Sequence, residues 1–247
     1  MPRRHPGSIR LFTAFGVDVF LHWSWLLVAY LQYQLGPEER SPIWHLATYV
    51  SLFGIVLLHE YGHALACRSV GGRADQIVLW PLGGIAFVQP PPRPGAVLWS
   101  IAAGPLVNVA LLPLTVGAWF VIIGNANPGV WSHLQWYVAS ITTINVSLLV
   151  FNLLPIYPLD GGQIVQSILW FFIGRAKSLM MSASIGLVCA VALGAFMLWK
   201  GNYWLVLIAC FIGWQAWRGL RIARVLTVME SMENDPWRVP HGRDHHG

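Results

Sequence analysis

Residues 43–67 read IWHLATYVSLFGIVLLHEYGHALAC. The run is long and apolar enough to cross a bilayer, whose hydrocarbon core takes about 20 such residues in a helix. Near its end it carries Glu60 between His59 and Tyr61, with His63 four residues after His59. An acidic residue at the centre of a span costs about 2.5 kcal/mol or more. Polar groups persist there when they pair or bind something, so this stretch predicts both a membrane helix and a site on it.

The rest of the chain fits a membrane setting. Only 10% of its 247 residues are charged and 56% are hydrophobic, against about 25% charged in soluble domains. A water-soluble globule would lack the charge to cover its outside, and intrinsic disorder is excluded. Six apolar segments are expected to span: 17–36, 43–67, 96–123, 134–155, 179–199 and 201–217. Lys200 and Gly201 leave room for only a tight turn between the last two. The stretch 161–174 is apolar but too short to span, and reads as a helix dipping into the membrane or lying on it. Between the second and third spans, 76–80 and 84–88 read as paired strands of a hairpin. The expected fold is thus an all-α polytopic membrane protein with a small membrane-associated hairpin at about 76–88. The core covers 1–224, and 225–247 is expected to be a polar, poorly ordered tail.

Charge placement gives an orientation. With the N-terminus in the cytosol and six alternating spans, thirteen Lys and Arg residues fall in cytosolic loops and two, Arg40 and Lys200, on the other side. This positive-inside bias predicts cytosolic termini. The net charge of +5 therefore serves topology, with no sign of nucleic-acid binding. Cys67, Cys189 and Cys210 are widely spaced and read as apolar filler, not as a disulfide framework or cysteine zinc site. No cleavage site follows the first apolar run, so no removable signal peptide is expected.

At helical spacing, residues i and i+4 share a face, so His59 and His63 can address one ion. Glu60 is angled toward a water rather than the metal. Two neutral nitrogen ligands with an adjacent carboxylate base are what a zinc peptidase requires. Catalytic zinc takes a third protein ligand. Most of the acids lie in loops or the tail; Asp160, in Asn152-Leu-Leu-Pro155-Ile-Tyr-Pro158-Leu-Asp160-Gly-Gly, follows one apolar span and precedes an apolar helix. Zinc with ionised Glu60 and Asp160 sums to zero charge, which makes a buried ionic site tolerable. Asn152 is either a polar donor at the reaction centre or a cap on the helix end. His22 reads as satisfied by a neighbouring helix, and His45 and His133 as structural.

The HExxH motif on the second span, followed about 100 residues later by the Asn152–Gly162 pattern, resembles the site-2 protease family of intramembrane zinc metalloproteases. Ala103-Gly104-Pro105-Leu106-Val107-Asn108 and Pro81-Leu82-Gly83-Gly84-Ile85 are similar to further signatures of that family. The resemblance covers about residues 15–220. It implies one zinc per chain held by His59, His63 and Asp160, with Glu60 as the catalytic glutamate. It implies that Asn152, Pro155 and Pro158 position substrate, and that the hairpin, at Gly83, Gly84, Ile85, Ala86 and Phe87, receives substrate as an added strand. Some relatives carry a PDZ or CBS domain; this chain is expected to be a minimal catalytic core. The implied substrate is a single-pass membrane protein in the lipid bilayer of a bacterial or archaeal cell: an anti-sigma factor, another membrane-tethered regulator or a remnant signal peptide. The competing readings are a catalytically inactive protein that holds membrane helices, and a transporter.

Overall fold

The computed structural model describes residues 6–35, 41–80, 83–123 and 130–233. The chain divides into two units, residues 1–155 with 159–164, and 156–158 with 165–247.

The first unit contains strands β1 (Ser8–Ala14), β2 (Val17–His22), β3 (Arg73–Trp80) and β4 (Gly83–Gln89). It also contains helices α1 (Trp25–Leu35), α2 (Pro42–Ser69), α3 (Pro94–Ile123) and α4 (Val130–Leu153), and the start of α5 (Asp160–Ile173). The strands form one sheet in chain order, β1-β2-β3-β4. The β1–β2 and β3–β4 pairs are antiparallel, and β2 lies parallel to β3 with Asp18 opposite Gln76 and Leu21 opposite Leu79. The parallel pair is bridged by α1 and α2, the long crossover that such a pair requires.

The expected hairpin is therefore half of a larger sheet. Within 17–36, expected as the first span, Val17–His22 instead form β2 and Trp25–Leu35 the eleven-residue α1. The reason lies in the sheet: β2 pairs on both edges, with β1 and β3, and Val17, Val19, Phe20 and His22 are all buried, so a short apolar run is covered as an inner strand and not as part of a span. The signal was available in Ser8–Ala14 and Val17–His22, two strand-like runs separated by two residues. Phe15 and Gly16 both have positive φ, 52° and 73°, as a two-residue hairpin turn of primed type demands. His22 stacks on Trp80 at 4.2 Å and contacts Ser24 Oγ, so a strand and its turn satisfy it, not a helix.

Five helices among the described residues are long and apolar enough to cross a membrane: α2, α3, α4 and the two that follow α5, α6 (Arg175–Trp199) and α7 (Tyr203–Glu233). The two faces of α2 have different neighbours. Tyr61, Ala64 and Cys67 pack with Val17, Val19, Ile77 and Leu79 of the sheet in one buried cluster. The face bearing His59 and His63 is turned to α3. Approach there is close because Gly62 lacks a side chain: a Cβ would lie 2.6 Å from the Ala103 carbonyl oxygen. At its end α2 is fastened to the β1–β2 turn, where Arg68 Nη1 donates to the Phe15 carbonyl and Tyr61 Oη to that of Ala14 at 3.3 Å.

The second unit holds the rest of α5 and a hairpin of α6 (Arg175–Trp199) and α7 (Tyr203–Glu233). The expected tight turn is present, with Gly201 at φ +71°. Small residues line the seam: a Cβ on Gly194 would meet Ala209 Cβ at 3.5 Å, and one on Gly213 would meet Ala190 Cβ at 3.5 Å. Such seams let helices pack by dispersion where lipid removes the hydrophobic drive. Helix α7 runs to Glu233, nine residues into the expected tail. Glu230 explains part of this, because its carboxylate accepts from the Ala176 N–H at 3.3 Å and caps the start of α6. His241, His245 and His246 lie outside the described residues.

Gly62→Ala is expected to lower thermal stability in detergent by about 1–3 kcal/mol, as overpacking does. Gly54→Ala, on the same helix with nothing within 4 Å of its Cβ position, is expected to be neutral or to gain up to about 1 kcal/mol. Equal losses in the two variants would refute a glycine-dependent contact between α2 and α3.

Candidate metal centre

Helix α2 brings His59 and His63 to one face, a turn apart, and both are buried, at 3% and 6% exposure. Asp160 is the first residue of α5. The chain reaches it through Pro155 and a cis Tyr157–Pro158 bond. Gly161 then permits a backbone approach that no side chain would allow, since a Cβ would lie 2.3 Å from the Leu153 carbonyl oxygen. The three residues form the one group of His, Cys, Asp or Glu donors found among the described residues that could hold a metal ion. His59 Nε2 and His63 Nε2 are 3.1 Å apart, and Asp160 Oδ2 is 3.1 Å from the first and 3.3 Å from the second.

The outer nitrogens show what this triangle is for. His63 Nδ1 lies 2.9 Å from the Ser100 carbonyl oxygen, which can only accept, so Nδ1 donates. His59 Nδ1 lies 2.6 Å from Asn108 Oδ1 and donates likewise. Each neutral ring then has a bare lone pair at Nε2. Two lone pairs and a carboxylate oxygen thus face one another in a buried space, which is repulsive unless a cation lies among them. Zinc with nitrogen and oxygen ligands at about 2.0–2.1 Å in tetrahedral array places its donors about 3.3 Å apart, and the observed edges agree. Hydrogen-bonded outer nitrogens are also the usual support of metal-binding histidines. The donor set therefore fits zinc.

Helix α3 supplies the rest of the enclosure. A Cβ on Gly104 would stand 2.3 Å from His63 Nε2 and 2.9 Å from His59 Nε2. The glycine thus keeps open the space beside both donors. Glu60 follows His59 on α2 and is buried at 6% exposure, next to the trio but outside it. Residues Ser100, Gly104 and Asn108 recur every four positions on α3, so all three face α2. Sequence reading singled out Gly104 and Asn108 only as parts of a motif. Ser100 acts through its backbone and left no signal in its side chain.

The other expected site residues are more dispersed. Asn152 is half-buried in the last turns of α4 and Pro155 is exposed just beyond it; neither belongs to the three-donor group. Pro158 falls in the second unit. Gly83, Gly84, Ile85, Ala86 and Phe87 all lie on β4, with Gly84 opposite Leu79 and Ala86 opposite Ile77. Strand β4 packs against α2 and is the last strand of the sheet on its side. Pro81 and Leu82 of the expected motif lie outside the described residues.

Comparison with known proteins agrees with this geometry. Residues 115–193 match the model for peptidase family M50. A zinc metalloprotease of Methanocaldococcus jannaschii is 31% identical over 228 residues, covering 92% of this chain and 64% of the relative. Stage IV sporulation protein FB of Bacillus subtilis is 36% identical over 126 residues, covering 49% of this chain and 40% of the relative. A solved site-2 protease from Methanocaldococcus jannaschii superposes with a TM-score of 0.60 at 29% identity, covering 86% of this chain and 95% of that one. The chain spans just under two-thirds of the length of the first of these curated relatives.

Protein purified in mild detergent is expected to carry one zinc per chain by elemental analysis. His63→Ala and Asp160→Ala should lose it, and Gly104→Ala should lose most of it by filling the space beside the nitrogens. Full zinc content in Gly104→Ala would place the metal elsewhere.

Proposed function

We propose that this chain, which belongs to the site-2 protease family of zinc metalloproteases, is a multi-pass membrane endopeptidase that hydrolyses peptide bonds within or near the transmembrane segments of single-pass proteins. The observation that carries the proposal is the convergence of His59, His63 and Asp160 on one point of a membrane-length helix, with Glu60 adjoining.

Zinc held there supplies Lewis acidity, which acidifies water and polarises a carbonyl group. The chain's own residues do the remainder. Asn108 and the Ser100 carbonyl hold the two imidazoles neutral and oriented. Asp160 contributes one negative charge and Glu60 a second, so the occupied site is neutral overall. Glu60 is the base that takes a proton from water and returns it to the leaving amine. Burial of His59, Glu60 and His63, with Asp160 only partly exposed, strengthens the electrostatic contacts at the site. Asn152, in the last turns of α4, and Pro155, just beyond it, are proposed to position the substrate backbone, and so, separately, is Pro158.

A transmembrane substrate must unwind before its carbonyls can be reached, and unpaired backbone in lipid is costly. The terminal position of β4, against α2, supports strand addition: residues Ile85 to Val88 would take up the freed hydrogen bonds. Arg68, Arg73 and Arg93 follow α2 and support a cytosolic position for that end of the helix, whereas the count that put both termini in the cytosol assumed a further span over 17–36. His63 precedes Arg68 by five residues, about 7–8 Å of helix rise, so the site is assigned to the cytosolic half of a bacterial or archaeal cell membrane. Anti-sigma factors, other membrane-tethered regulators and remnant signal peptides are the proposed substrate classes.

The test is reconstitution in proteoliposomes with a panel of epitope-tagged single-pass transmembrane segments. Zinc-loaded protein should cleave at least one. Glu60→Gln should keep its zinc and lose about 10²–10⁴-fold in rate. Zinc retained with no Glu60-dependent cleavage of any segment would leave a helix-binding protein. Phe87→Pro removes one backbone donor from β4 and should slow cleavage with zinc content unchanged; wild-type rates would exclude strand addition at that position.

A further inference from the structure

The hydrogen bonds behind His59 reach one residue beyond its direct partner, into α4. Asn108 and Asn145 are both fully buried, at 0% exposure. Asn145 Nδ2 donates to the main-chain oxygen of Asn108 at 3.0 Å. A main-chain oxygen only accepts, so this bond settles which end of the Asn145 amide is which. Asn145 Oδ1 is left facing the Asn108 side chain, where it accepts from Asn108 Nδ2 at 2.7 Å. Asn108 must then turn its own Oδ1 toward His59 Nδ1, at 2.6 Å. The ring proton is thereby drawn to Nδ1, and Nε2 keeps its lone pair on the side of Asp160 and His63.

The opposite amide orientation would do harm. With Nδ2 of Asn108 against the ring, His59 Nδ1 would have to be bare and the proton would sit on Nε2, inside the donor triangle. Asn108 alone has no preference between the two orientations. The two-bond clasp of Asn145 supplies it.

We propose that Asn145 is a positioning residue for the metal centre: acting only through Asn108, it holds His59 with its proton on Nδ1 and Nε2 open to zinc. This rests on the reading that the site holds zinc. A simple interhelical strut between α3 and α4 would account for the same bonds but would have no reason to affect metal affinity selectively.

The experiment measures zinc affinity of the full chain in detergent by competition with a chelator of known affinity, alongside thermal stability of the metal-free protein. Asn145→Leu should weaken zinc by about tenfold, the lower end of what outer-shell partners contribute. Asn108→Leu should weaken it at least as much. In the double variant the Asn145 effect should vanish, leaving zinc affinity within about twofold of Asn108→Leu alone, because coupled residues on one path are not additive. If Asn145→Leu does not accumulate, Asn145→Ser is the replacement, with the same direction expected. Unchanged zinc affinity despite lowered thermal stability would reduce Asn145 to a strut and overturn the proposal. A full Asn145 effect persisting in the Asn108→Leu background would overturn its route. Wild-type protein that binds no zinc would instead sink the metal reading, and the relay with it.

Discussion

Two imidazole lone pairs and a carboxylate oxygen, all within about 3 Å of one another in a buried space, repel unless a cation joins them. Much of the first unit can be understood as the means of holding that arrangement. Helix α2 supplies the two rings at the one spacing that puts them side by side. Gly62 and Gly104 remove the side chains that would keep α3 away. The Ser100 carbonyl and the Asn108 amide then fix the far side of each ring. Asp160 comes from another part of the chain and closes the triangle.

Helix α2 is held from two directions, and this shapes the chemistry. The sheet buries Tyr61, Ala64 and Cys67 on one side, while α3 faces His59 and His63 on the other. A helix gripped this way cannot rotate about its axis without breaking a buried contact, so the rings stay aimed. The same sheet brings a terminal strand against α2. Support of the ligands and reception of an unwound substrate would then be two uses of one small sheet.

The second unit is built by a different rule. Helices α6 and α7 approach through alanine and glycine, Gly194 against Ala209 and Gly213 against Ala190. Close packing of small residues replaces the hydrophobic effect, which lipid does not supply. Glu230 adds a cap at the far end, and this accounts for helix continuing where composition suggested a loose tail.

The membrane class, five of the six apolar segments, the paired strands over 76–88 and the three-donor set were all legible in the order of residues. Each rests on a local property: apolar length, alternation, or the i, i+4 spacing of two histidines. Asp160 was legible because acids are scarce in this chain and one flanked by prolines and glycines stands out. The segment 17–36 was misread because a buried strand followed by a short helix has the same bulk apolarity as a span. The turn at Phe15 and Gly16, ahead of a short apolar run, carried the correct signal. The clasp of Asn145 on Asn108, the use of the Ser100 carbonyl and the space kept by Gly104 were not legible. They depend on which faces of α2, α3 and α4 meet, and residues 37 positions apart, such as Asn108 and Asn145, acquire a common hydrogen bond only when α3 and α4 pack. Local spacing dictates which groups are able to bind a metal; the packing of helices decides which way their protons point.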